Sequence, residues 1–124
     1  MKLAVITFPE NNYFHEIAEQ LIEENLVRYA SEAADEMEFE KEEELLDAVK
    51  RSMELCVSAG LPVNANFKRI YKSWPDGIHF DWKLSVLAFY LVKLNGAPAN
   101  HHVAELQIHL LKEQQMRSFP QYVE

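Results

Sequence analysis

Between Phe67 and Pro98 the chain reads FKRIYKSWPDGIHFDWKLSVLAFYLVKLNGAP, and few folds accommodate that order of signals. Two β-prone runs flank Pro75-Asp76-Gly77, where proline fixes φ, aspartate favours the turn and glycine tolerates positive φ. This predicts a tight hairpin with strands at about Phe67–Trp74 and Ile78–Trp82. Alternation along the first strand places Phe67, Arg69 and Tyr71 on one side, and Lys68, Ile70, Lys72 and Trp74 on the other. Trp74 and Trp82 either pack across the hairpin or leave one ring exposed at its tip. From Asp81, read as an N-cap, the chain enters a helix that runs to Leu94. That helix is apolar almost all round and belongs at the centre of the fold. Asn95-Gly96 and then Pro98 end it.

The other elements follow from periodicity. Lys2–Phe8 is rich in β-formers and stops at Pro9, which predicts a short strand. Phe14, Ile17, Ala18, Leu21, Ile22, Leu26 and Val27 recur at helical spacing, with Asn11 or Asn12 as N-cap. Ser31 is placed to cap a short helix, Glu32–Met37, whose Ala33, Ala34 and Met37 face inward. After a turn at Glu38-Phe39-Glu40, a longer helix over about Glu42–Ser58 carries the stripe Leu45, Leu46, Val49, Met53, Cys56 and Val57, stopped by Gly60 and Pro62. A last helix, about Ala99–Met116, packs back through Val103, Leu106, Leu110 and Leu111. No repeat, linker or low-complexity segment interrupts the chain, so 124 residues make one domain with a real core.

Charge is distributed unevenly. Residues 1–44 hold thirteen acidic and three basic side chains, a balance of −10, whereas residues 45–100 hold seven basic and four acidic, a balance of +3. The total is −8. Such a split informs about partners rather than fold. The only cysteine, Cys56, falls in a helical apolar pattern and reads as a buried thiol, in keeping with a reducing compartment. The N-terminal apolar run is too brief for a signal peptide, and the longest apolar stretch, Leu84–Leu94, is interrupted by Lys93 and too short to span a bilayer. A cytoplasmic protein with no membrane partner is expected.

The block Asp81-Trp82-Lys83-Leu84-Ser85, then Ala88, Tyr90-Leu91-Val92, Asn95-Gly96-Ala97-Pro98 and Val103-Ala104 with Gln107, resembles a segment of the BRO-family N-terminal domain (BRO-N). That domain is shared by phage and baculovirus BRO proteins and by the bacterial DNA-damage-inducible protein D. Leu45-Leu46 through Lys50 to Cys56, Gly60, Val63 and Phe67 follow the family order, and Tyr29-Ala30 through Phe39 more weakly. The likeness covers about residues 29–110. It implies an α+β, mostly helical single domain spanning residues 1–124, with a β-hairpin at about 67–82 and a helix-turn-helix-like segment, winged-helix-like overall. The family is linked to phage antirepressors, DNA binding and DNA-damage responses, without a catalytic centre. This chain departs from the pattern where the family carries Arg-Asp and a Gly-Tyr turn, having Glu32-Ala33 and Glu38-Phe39, and Ala97 replaces the aspartate of N-G-D-P.

Candidate sites follow from these readings. For nucleic-acid contact the residues are Lys68, Arg69 and Lys72 on the hairpin, with Lys50, Arg51 and Lys83 as a second patch, and Trp74 or Tyr71 adding stacking. The plainer reading is that these cations protect a strand edge. For a protein partner the candidate surface is Glu32, Glu36, Glu40, Glu43 and Glu44, facing a basic DNA-binding protein; an acidic turn of this kind repels phosphate. His101, Glu105 and His109, with His102 nearby, share a helix face, but no further ligand is evident, so neither metal nor cofactor is expected. No phosphate loop, nucleophile elbow or H-E-x-x-H occurs, and no enzymatic role is expected. The expectation is a regulatory module of antirepressor type acting on a protein partner, with a DNA-binding regulator as the alternative, in which a homodimer offsets the low charge.

Overall fold

The computed structural model describes residues 11–118. In order, these are α1 (Asn11–Asn25), β1 (Arg28–Tyr29), α2 (Ala30–Met37), α3 (Glu42–Ala59), β2 (Phe67–Trp74), β3 (Gly77–Leu84), α4 (Val86–Leu94) and α5 (His101–Ser118). The three strands form one antiparallel sheet in the order β1-β3-β2. The protein is therefore α+β and mostly helical, with the hairpin where the turn chemistry predicts it. The strand expected at Lys2–Phe8 lies outside the described residues.

β3 is longer than expected. It pairs with β2 from Trp74↔Gly77 to Phe67↔Leu84, so strand conformation continues through Asp81, Trp82, Lys83 and Leu84. The helix N-cap is Ser85, whose hydroxyl accepts from the Ala88 amide, and not Asp81. The strand wins because its last residues pair on both sides, with Phe67–Lys68 of β2 and with Arg28–Tyr29 of β1. Asp81 instead accepts from the Ser31 amide (3.1 Å) and hydroxyl (2.6 Å), which ties the hairpin to α2. Ser31 is thereby a crosslink inside α2 rather than its cap. The Glu32 carboxylate supplies part of the cap by accepting from the Tyr29 amide at 2.8 Å.

α4 touches α2, α3, α5, β1 and β3, which makes it the central helix. Its buried face is Ala88, Phe89 and Val92; Val86, Leu87 and Tyr90 are close to half exposed, so the helix is not buried all round. Against it lies the stripe Leu45, Ala48, Val49, Ser52, Met53 and Cys56 of α3, which is shifted from the expected one. Leu46 and Val57 face solvent, and small Ala48 and Ser52 are fully buried. Ser52 satisfies its hydroxyl by donating to the Ala48 carbonyl at 2.7 Å. Arg28 lays its guanidinium over the Phe89 ring at 3.8 Å.

Three loop details hold the helices in place. Gly60 closes α3 at φ 79°, where only glycine is unstrained. Asn100 accepts from the His102 and Val103 amides to cap α5 and donates to the Met37 carbonyl at the end of α2. Gly96 has no room for a side chain, since a Cβ there would lie 2.6 Å from Val103 and 2.8 Å from the Phe39 ring. α5 packs through Val103, but Leu110 and Leu111 are exposed, which corrects the expected packing of its second half.

Candidate partner-binding groove

The hairpin cations are held by the protein's own groups. Lys68 stands directly opposite Lys83 in the β2–β3 register. Like charges so placed repel, and Glu23 of α1 bridges them, hydrogen-bonded to Lys68 and 3.3 Å from Lys83. The two lysines, Lys68 first, hold the Glu23 carboxyl below its ordinary range. Lys72 pairs with Asp81 at 3.3 Å and lies 4.5 Å over the Tyr29 ring. Arg69 points to the other face, with its guanidinium 5.0 Å from Phe80 and 5.2 Å from Trp82. Of the second patch, Lys83 joins Lys68 on Glu23, and Arg51 donates to the Asn95 carbonyl at 3.0 Å, clamping the end of α4. Lys50 is exposed, with no carboxylate at ion-pair distance among the described residues.

The acidic candidates divide in the same way. Glu32 and Glu36 bind Arg28 at 3.3 and 3.4 Å, and Glu36 also binds Lys93 at 2.8 Å. Glu44 accepts from the Glu40 and Lys41 amides at 2.8 and 2.9 Å and so caps α3. Glu40 and Glu43 remain exposed with no cation at ion-pair distance among the described residues, and so does Glu42 beside them.

What the sequence did not single out is a groove of about 440 Å³ between the hairpin and the start of α3. Trp74 and His79 contribute one wall, Glu42 and Leu45 the other, with Asp76 at the turn and Lys72 and Asp81 also lining it. Phe80 borders the groove, but its ring lies on the opposite face of the hairpin with Tyr71 and Arg69. Trp74 is 54% exposed; Phe80, Tyr71 and Ile78 are exposed on the other face of the hairpin. Trp74 and Trp82 do not meet, and Trp74 lies edge-on to His79 at 6.3 Å. Asp76 pairs with His79 at 3.0 Å, and that hydrogen bond lowers the Asp76 carboxyl below its ordinary range. Beside the groove, buried Asp81 holds Lys72 and ties the hairpin to Ser31 of α2. An exposed indole with Glu42 and Asp76 at its rim suits a cationic, partly apolar side chain, which stacks on the ring and pairs at the rim. The signal available beforehand was Trp74, an aromatic residue immediately before the Pro75-Asp76-Gly77 turn.

The histidines of α5 form pairs and no larger cluster. His101–Glu105 is 3.3 Å, His109–Glu113 3.2 Å and His102–Glu38 3.3 Å. Among the described residues, no three His, Cys, Asp or Glu side chains are grouped to hold a metal ion. Cys56 is fully buried, which pushes its thiol pKa up. No described helix is long and apolar enough to cross a membrane. No protein-family model matches the chain, nor does any curated protein or solved structure.

Proposed function

We propose that this domain is a non-enzymatic regulatory module of antirepressor type that captures a basic segment of a DNA-binding protein and competes with DNA for it. One observation carries the reading. Three of the hairpin's four cations pair with Glu23 or Asp81, while Trp74 stands open beside Glu42, which has no cation at ion-pair distance among the described residues. Phosphate contact requires cations available to displace counterions, and here they are engaged inside the chain. An aromatic anchor surrounded by carboxylates is the complement of an Arg- or Lys-bearing segment. The BRO-type resemblance agrees with a role in DNA transactions.

The alternative is a winged-helix-like DNA reader with the hairpin as its wing, and a mobility-shift titration separates the two. With duplex and single-stranded DNA at low and moderate salt, the partner-binding module gives no shift at micromolar protein. A shift that weakens steeply with salt and is lost when Lys68, Arg69 and Lys72 are all changed to Ala overturns it.

A further inference from the structure

Beyond Val103, α5 presents an apolar seam that starts at part-buried Ala104 and whose large side chains are exposed among the described residues. Ala104, Ile108 and Leu111 recur at spacings of four and three, with Gln115 next. Ile108 is 51% and Leu111 65% exposed, although both are large aliphatic side chains. Alongside the seam lies a shallow hollow of about 590 Å³, lined by Ala104, Ile108, Glu105 and Lys112 among others. Among the described residues Glu105 pairs only with His101, and both are largely exposed. Lys112 has no carboxylate at ion-pair distance among the described residues.

The charges on this seam complement themselves. Glu105 and Lys112 are seven residues apart, which places them on one stripe about 10 Å apart along the helix. Their midpoint falls between residues 108 and 109. The midpoint of Ile108 and Leu111 falls one residue further on, a difference of about 1.5 Å along the axis. A single two-fold axis at that point therefore sets Ile108 of one copy against Leu111 of the other, and Glu105 of each against Lys112 of the other. Four-three spacing is the pattern that lets paired helices interlock, and the reversal of charge across the midpoint selects the antiparallel orientation. A partner helix of a different sequence would need a matching acid and base at this interval, and a second copy supplies both.

We infer that α5 is the interface of an antiparallel homodimer, joined along Ala104, Ile108 and Leu111 and oriented by Glu105 and Lys112. This is independent of the groove, which is formed by other elements. Sedimentation equilibrium of the full chain tests it. At about 0.1 mM, wild type gives a mass close to twice the 14.5 kDa of one chain, as expected for a micromolar dimer. Glu105→Lys alone and Lys112→Glu alone each place like charges across the seam, and each weakens the dimer at least tenfold. An equimolar mixture of the two single variants restores the dimer, since each then meets its opposite. Both positions are exposed, so circular dichroism remains that of wild type. A monomeric wild type at that concentration overturns the proposal, as does a dimer that both single variants retain or a mixture that stays monomeric.

Discussion

Lys68 and Lys83 face each other directly across the β2–β3 ladder, and one carboxylate from α1, Glu23, reaches both. Glu23 thereby ties α1 to the sheet, while Ile17 and Leu21 of the same helix are exposed. Glu23→Gln removes the bridge and leaves two opposed lysines. Urea unfolding at neutral pH should show lower stability for the variant.

The same bridge carries a pH dependence. The folded Glu23 pKa lies below its ordinary value of 4.5, so the folded chain binds that proton more weakly than the unfolded chain. The bridge's contribution is present in full above the unfolded value and is lost as pH falls through the folded one. The stability difference between wild type and Glu23→Gln should therefore shrink as pH drops from 6 to about 3, measured by urea titration at each pH. A difference that stays constant over that range contradicts the assignment.

Asp81 is 7% exposed and accepts from Ser31 twice, from the Trp82 amide and from Lys72. Asp81→Ala strands the part-buried hydroxyl and amide of Ser31 and releases the hairpin from α2. Hydrogen bonds to a charged acceptor and the desolvation of orphaned donors together give an expected loss of about 3 kcal/mol in chemical denaturation.

Gly96→Ala forces a methyl group against Val103 and the Phe39 ring, at distances real Cβ atoms do not tolerate. Overpacking of this kind costs about 1–3 kcal/mol. Glu38 tests the opposite case. It ends α2 in the left-handed region at φ 55°, the position where the BRO-type pattern carries glycine. Glu38→Gly should relieve about 1 kcal/mol of backbone strain, offset in part by the loss of the His102 pair. Thermal unfolding of both variants checks the two signs.

Local chemistry was legible where it was strong. The Pro75-Asp76-Gly77 turn, the α3 stop at Gly60 and the helical runs can be read residue by residue, because each depends on neighbours in sequence. Two features depended on distant pairing. Asp81 and Ser85 are both good N-caps by residue type, and only the Leu84 pairings with Phe67 and Arg28 decide between them. The face of α3 was misplaced for a different reason. Large apolar residues drew attention to Leu46 and Val57, whereas close packing on α4 selects Ala48 and Ser52 for their small size. The groove was the least visible. Its walls come from residues 31–45 and 72–81, and the engagement of the lysines that makes it distinctive comes from Glu23 and Asp81. A count of hairpin cations sees four charges there and none of the carboxylates that pair with three of them.

The central claim is that the groove beside Trp74 binds a basic segment and that the hairpin does not bind DNA. Fluorescence anisotropy tests it with a labelled peptide of alternating Arg and Leu, titrated with the protein at about 150 mM salt, where surface charge alone is largely screened. Trp74→Ala changes no charge and removes an exposed side chain, so the fold is retained. Wild type should bind the peptide, Trp74→Ala should bind it at least tenfold more weakly, as expected for loss of an aromatic anchor, and a labelled duplex of similar length should show no change. Equal peptide affinity in wild type and Trp74→Ala, or tight duplex binding that falls with salt, would contradict the account.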